Sequence, residues 1–136
     1  MSIYHHLEVW RVAHALVLNV HSHAKRIRGA EYVSLKSQML RAAMSVPTNL
    51  VEGSGQESAR EFCRFIRIAL NSSSELEYHL LLAKDFGVMR VETYNSLRDQ
   101  TVRVRKMLWG LLRGVSRRVP KRKPDPENKT ANEQSR

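Results

Sequence analysis

Apolar residues in this chain recur at steps of three and four through four long stretches, and no stretch alternates apolar with polar over a strand's length. Each stretch is therefore expected to form an amphipathic helix that must bury one face. In the first, about Leu7 to Arg28, the spacing places Leu7, Trp10, Ala13, Val17, Val20, Ala24 and Ile27 on one face. Val9, Val12 and Leu16 form a second apolar strip beside it. One strip is enough for a bundle interior, so the extra width points to a second buried contact, such as another subunit. Gly29 supplies the stop. The second stretch runs from about Ser34 to Gly53 with Leu35, Met39, Ala42, Val46 and Leu50 as its stripe. Pro47 lies inside it, and because the apolar spacing continues past the proline, a kink is expected; a break into two shorter helices is the competing reading.

The third stretch has the clearest punctuation. After the Gly53-Ser54-Gly55 loop, Ser58 stands three residues before Glu61, a capping-box spacing. Phe62, Ile66, Ala69, Ser73, Leu76, Leu80 and Ala83 then follow as a heptad seam, suited to antiparallel helices crossing at about 20°. Ala69 and Ser73 are small enough to admit a close neighbour, and Gly87 ends the helix. The fourth stretch, about Val91 to Val115, carries Leu97, Thr101, Val104, Leu108, Leu111 and Val115. Short connections force sequential helices to run antiparallel. The expected fold class is all-α, an antiparallel up-down-up-down four-helix bundle over residues 1–116. A disordered basic tail is expected over residues 117–136, where prolines are frequent and large apolar residues nearly absent.

The 136 residues suffice for one domain, and a single cysteine, Cys63, rules out an intrachain disulfide. The N-terminus shows no basic segment ahead of an apolar core, and no apolar run reaches the roughly 18 residues of a transmembrane helix, so the cytoplasm is the expected location and no membrane the expected partner. The charge is less ordinary. Lys and Arg total 23 against 13 Asp and Glu, a net +10, of which the last 20 residues contribute +4. Such a field favours encounter with polyanions whatever the fold; the plainer alternative is a solubility device.

The stretch QMLRAAMSVPTNLVEGSGQESAREFCRFIRIALNSSSELEYHLLLA, Gln38 to Ala83, resembles the four-helix-bundle family encoded in bacterial large-subunit ribosomal RNA intervening sequences. The matching positions are Gln38, Arg41, Ala42, Ser45, Pro47, Asn49, Glu52 and Gly53, then Glu61, Phe62, Ala69, Ser72, Glu75 and Leu76. Leu7 and Trp10 in LEVWRVAHAL resemble the family's opening, so the likeness spans roughly residues 5 to 115. Asn71 departs from it, standing where the family usually has glycine. The resemblance implies a bundle protomer that assembles as a ring-shaped homopentamer. It also implies kinship with the accessory protein of diversity-generating retroelements, a basic pentamer that binds nucleic acid and a reverse transcriptase. It supplies a fold and a partner class, and no reaction.

Three groups of residues are candidates for function. Gln38, Arg41, Ser45, Asn49 and Glu52 form a polar strip along the second helix, with Ser72 and Glu75 on the third. Buried polar groups must bond one another, so a structural network with Arg41 meeting a carboxylate is expected, with a ligand pocket as the alternative. Arg60, Arg64 and Arg67 form a row on the third helix, continued by Asn71, and could track phosphates. The plainer reading is a solvated face with local pairs such as Glu61–Arg64. The fourth helix adds Arg98, Arg103, Arg105, Lys106 and Arg113. Arg117, Arg118, Lys121, Arg122 and Lys123 put five positive charges in seven residues, an arm that can neutralise phosphates without reading sequence.

Catalytic patterns are weak. Glu75 and Glu77 precede His79 at the wrong spacing for a bundle di-metal site; His21 and His23 point to different sides of a helix; His5 and His6 sit at the very start. Cys63 has no defined histidine partner, and neither a phosphate-cradling glycine loop nor a G-x-S-x-G elbow occurs. No cofactor or metal is expected. The reading that follows is a non-enzymatic, oligomeric, basic adaptor for RNA or DNA, working with a protein such as a reverse transcriptase. The alternatives are a structural or protein-interaction bundle with incidental charge and, against the missing ligand set, a metal-dependent nuclease.

Overall fold

The computed structural model describes residues 7–122. Four helices account for most of them: α1 (Glu8–Ala24), α2 (Val33–Ser54), α3 (Ala59–Asp85) and α4 (Val91–Ser116), with a single 3-10 turn, Ala30–Tyr32, leading into α2. α2 packs against α1 and α3, α4 packs against α3 and α1, and the backbones of the diagonal pairs stay apart. This is the antiparallel four-helix bundle that the apolar spacing predicts. Among the described residues no helix is long and apolar enough to cross a membrane.

The core is built from Leu16, Val20, Met39, Val46, Leu50, Ile66, Leu76, Leu80, Leu97, Val104, Leu108 and Val115, all essentially removed from water. Each such side chain contributes about 1.5–3 kcal/mol of burial free energy. The α3 seam lies where its spacing predicts, with Ile66, Ala69, Ser73, Leu76, Leu80 and Ala83 buried and Phe62 packed at its edge. Two details differ. On α1, Val9 and Leu16 from the second strip enter the core, while Trp10 and Val17 turn to the seam with α2. Adjacent residues sit about 100° apart on a helix, and with two neighbouring apolar strips only the packing of α2 and α4 selects which faces inward. On α4, Leu112 takes the buried position and Leu111 stays half-buried.

α1 also stops earlier than its glycine. The chain tightens at Ala24, where Ile27 N–H donates to the Ala24 carbonyl at 3.0 Å, and Lys36 Nζ donates to the Ile27 carbonyl at 2.9 Å. Gly29, at φ +116°, then makes the reversal that side-chain-bearing residues resist. α2 continues unbroken through Pro47. Of the capping box, one half forms: Ser58 Oγ accepts from Glu61 N–H at 3.1 Å, while the Glu61 carboxylate pairs with Arg64.

Polar ties set the register between helices. Arg105 on α4 reaches α3, donating through Nη2 to Glu77 Oε2 at 2.5 Å and through Nε to Ser73 Oγ at 3.3 Å. At the α2–α3 turn, a Cβ on Gly53 would lie 2.8 Å from Cβ of Phe65, so the two helices meet there with no room for a side chain. Gly110 and Gly114 on α4 face open space; the nearest atom to an added Cβ is Arg113 Nη2, 3.8 Å from that of Gly110.

These contacts set the expected effect of substitution at four positions. Arg105→Ala leaves the half-buried Glu77 carboxylate unpaired and should lower unfolding stability by about 1–3 kcal/mol in chemical denaturation. In the same assay Gly110→Ala and Gly114→Ala should each raise stability by up to about 1 kcal/mol, since neither glycine is needed for packing. Gly53→Ala should lower it.

Candidate nucleic-acid interface

The outward ridge of α3 carries Arg60, Arg64, Arg67 and Asn71, all exposed. Arg64 is engaged: its Nε lies 3.1 Å from Glu61 Oε2 and its guanidinium stands 4.5 Å above the Phe65 ring. Arg60 and Arg67 make no ion pair or hydrogen bond among the described residues. On α4, Arg103, Lys106 and Arg113 are exposed and equally unpartnered, whereas Arg105 is held by Glu77 and Arg98 by Asp99 at 3.1 Å. The Asp99 hydrogen bond raises the Arg98 pKa above its already high ordinary value. Arg117, Arg118, Lys121 and Arg122 follow α4 as exposed residues; Lys123, like the rest of the expected tail, lies outside the described residues.

The contacts of Arg105 with Ser73 and Glu77 fix how these cations line up. In an antiparallel pair with equal rise per residue, that register brings Arg67 level with Arg113 and Asn71 level with Trp109. The α3 ridge and the outer face of α4 thus form one cationic flank. Acidic residues cluster towards the opposite end of this helix pair and are mostly paired there, Asp85 with Lys84 at 3.6 Å and Glu92 with Arg90 at 3.7 Å. Trp109 lies within this flank, 48% exposed, at three residues from Lys106 and four from Arg113. Its spacing from those two cations is the signal that marks it in the sequence.

The polar strip contracts to three residues. Ser45 and Ser72 hydroxyls meet at 2.7 Å between α2 and α3, and Asn49 Nδ2 donates to the Ser45 carbonyl at 2.7 Å and to its hydroxyl at 3.0 Å. Gln38, Arg41, Glu52 and Glu75 are exposed; Gln38 bonds only Ser34 at 3.3 Å, and the expected Arg41–carboxylate pair does not form among the described residues. The reason is steric. α2 and α3 come so close that serines meet between them, which leaves longer side chains at the rim.

The opposite side of the bundle, formed by α1 and α2, carries an apolar patch bordered by the exposed Arg41. Trp10 stacks on His14 with ring centroids 5.0 Å apart, and with Val17, Met44, Pro47 and Val51 they line a shallow depression. Leu18 and Met44 stand 56% and 48% exposed nearby. A recess of about 430 Å³ opens at one end of the bundle, where Glu57 and Arg118 are the only charged lining residues. No three His, Cys, Asp or Glu residues among those described come together as a metal site, and Cys63 is a buried free thiol. The Nδ1 of buried His79 has no hydrogen-bond partner. His5 and His6 lie outside the described residues.

A helical bundle with a cationic flank and an apolar patch on the opposite side is the class of protein these residues define. The chain belongs to the 23S rRNA-intervening sequence protein family, whose model matches residues 5–110. Among solved structures it is similar to a protein of unknown function from the S23 ribosomal protein family of Bacteroides thetaiotaomicron. The TM-score is 0.73 at 22% identity, with 77% of this chain and 95% of that one covered, a likeness of fold. No curated protein matches.

Proposed function

We propose that this protein is a non-enzymatic, self-associating scaffold that binds nucleic acid through its phosphates, with little sequence preference, in the cytoplasm as an accessory to another protein. The observation that carries the reading is the α3–α4 flank, where Arg60, Arg67, Arg103, Lys106 and Arg113 stand exposed without acidic partners and run on into Arg117–Arg122. Cations left unpaired keep their full capacity to displace counterions from a phosphate backbone. The apolar α1–α2 side supports self-association, and the family resemblance supports a pentameric ring. Repetition of the cationic flank around such a ring would turn weak contacts into strong ones by avidity. The resemblance to retroelement accessory proteins supports a reverse transcriptase as the protein partner.

The test is binding of mixed-sequence RNA measured across a salt series. The logarithm of the affinity should fall linearly with the logarithm of salt, at about 0.7–0.9 per phosphate neutralised. Arg67→Glu with Arg113→Glu should weaken binding more than tenfold at moderate salt and flatten that slope. No binding at physiological ionic strength would instead favour a protein-interaction bundle whose charge is incidental. The RNA should remain intact with magnesium present; cleavage abolished by a chelator would overturn the non-enzymatic reading.

Self-association is tested separately. Met44→Glu places a charge in the centre of the apolar side, and light scattering should show the assembly reduced to smaller species with helix content unchanged.

A further inference from the structure

We infer that the outer face of α4 around Trp109 binds unpaired nucleotides, the indole stacking on a base while Lys106, Arg113 and Arg67 hold the neighbouring phosphates. This rests on the nucleic-acid reading above and adds to it which form of nucleic acid the flank prefers.

The observations converge on the same few residues. Trp109 is 48% exposed and makes no ring contact or hydrogen bond with any described residue. Half of a large π-surface is thus held in water on a face otherwise charged. Lys106 and Arg113 flank it on its own helix, about 10 Å apart along the axis, and Arg67 stands level with Arg113 across the seam. Arg105, the residue one turn before the indole on the α3 side, is already held by Glu77 and Ser73, so it is not free to fold over the ring.

A flat aromatic surface inside a cationic field suits a strand whose bases are unstacked. In a duplex the base faces are buried against one another, so a cation row alone binds it through phosphates and the indole gains little. An unpaired strand offers both phosphates and free base faces, and stacking on an aromatic side chain tolerates any base. The same face could instead seat a hydrophobic segment of another protein. The surrounding lysine and arginines favour a polyanion.

The test uses the full-length protein with two fluorescently labelled probes, an unstructured oligouridylate and a fully paired RNA duplex of equal length. Trp109→Leu keeps an apolar side chain and removes the stacking surface; because the indole is exposed, the variant should keep its helix content and melting temperature. The wild type should bind the single strand more tightly than the duplex and show quenched indole fluorescence with it. Trp109→Leu should weaken single-strand binding about five- to a hundredfold, leave duplex binding and the salt slope unchanged, and be partly rescued by Trp109→Tyr. A variant that weakens neither probe, or both equally, overturns the inference while the salt slope keeps the nucleic-acid reading standing. If neither probe binds at physiological ionic strength, that reading falls and the inference with it. Trp109→Leu that changes self-association or a protein contact but not RNA binding assigns the face to protein.

Discussion

The close packing of α3 against both of its neighbours is the constraint on which the rest of the molecule depends. Towards α2, the Ser45 and Ser72 hydroxyls touch, and Gly53 leaves no room even for a methyl group beside Phe65. Towards α4, Ser73 is buried and receives Arg105, whose guanidinium also meets Glu77. Small residues on the seam let the backbones approach, and the large aliphatics Ile66, Leu76 and Leu80 are wholly buried between them. The hydrogen bonds at the edges then select one register among those the apolar seam would tolerate.

That register is what gives the surface its character. One turn of slippage between α3 and α4 would separate Arg67 from Arg113 and put Asn71 out of line with Trp109. With the helices held as they are, the cations of two separate segments become a single flank, while their acidic counterparts pair locally, mostly at the far end. Charge alone would not produce this. Arg64, Arg98 and Arg105 carry the same guanidinium as Arg67 and Arg113, yet each is already occupied by a carboxylate. Only part of the cationic total is available to an outside partner.

The square arrangement of the four helices also separates two kinds of surface. α1 and α2 leave Leu18 and Met44 exposed on one side, beside the seam that Trp10, Val17 and Val51 line, and α3 and α4 present the cations on the other. Contact made through one of these sides leaves the other uncovered.

Steps of three and four in the sequence determined the number of helices, their class and most of the core, because burying an apolar stripe on a helix depends on local periodicity alone. The α3 stripe shows this: Ile66, Ala69, Ser73, Leu76, Leu80 and Ala83 are buried as their spacing requires. Family membership was legible from Gln38 to Ala83 for a different reason, as a pattern of residue types. Where two adjacent strips were both apolar, as on α1, the sequence left the rotation open, and contact with α2 and α4 decided that Val9 and Leu16 go inside. The polar residues followed the same division. Their positions on a helix face could be read from spacing, but that Ser45, Asn49 and Ser72 bond one another while Arg41 and Glu75 stay at the rim depended on the distance between helices. So did the grouping of Trp109 with cations from α3, since which side chains become neighbours across a seam is set by interhelical register, a property that no single helix carries.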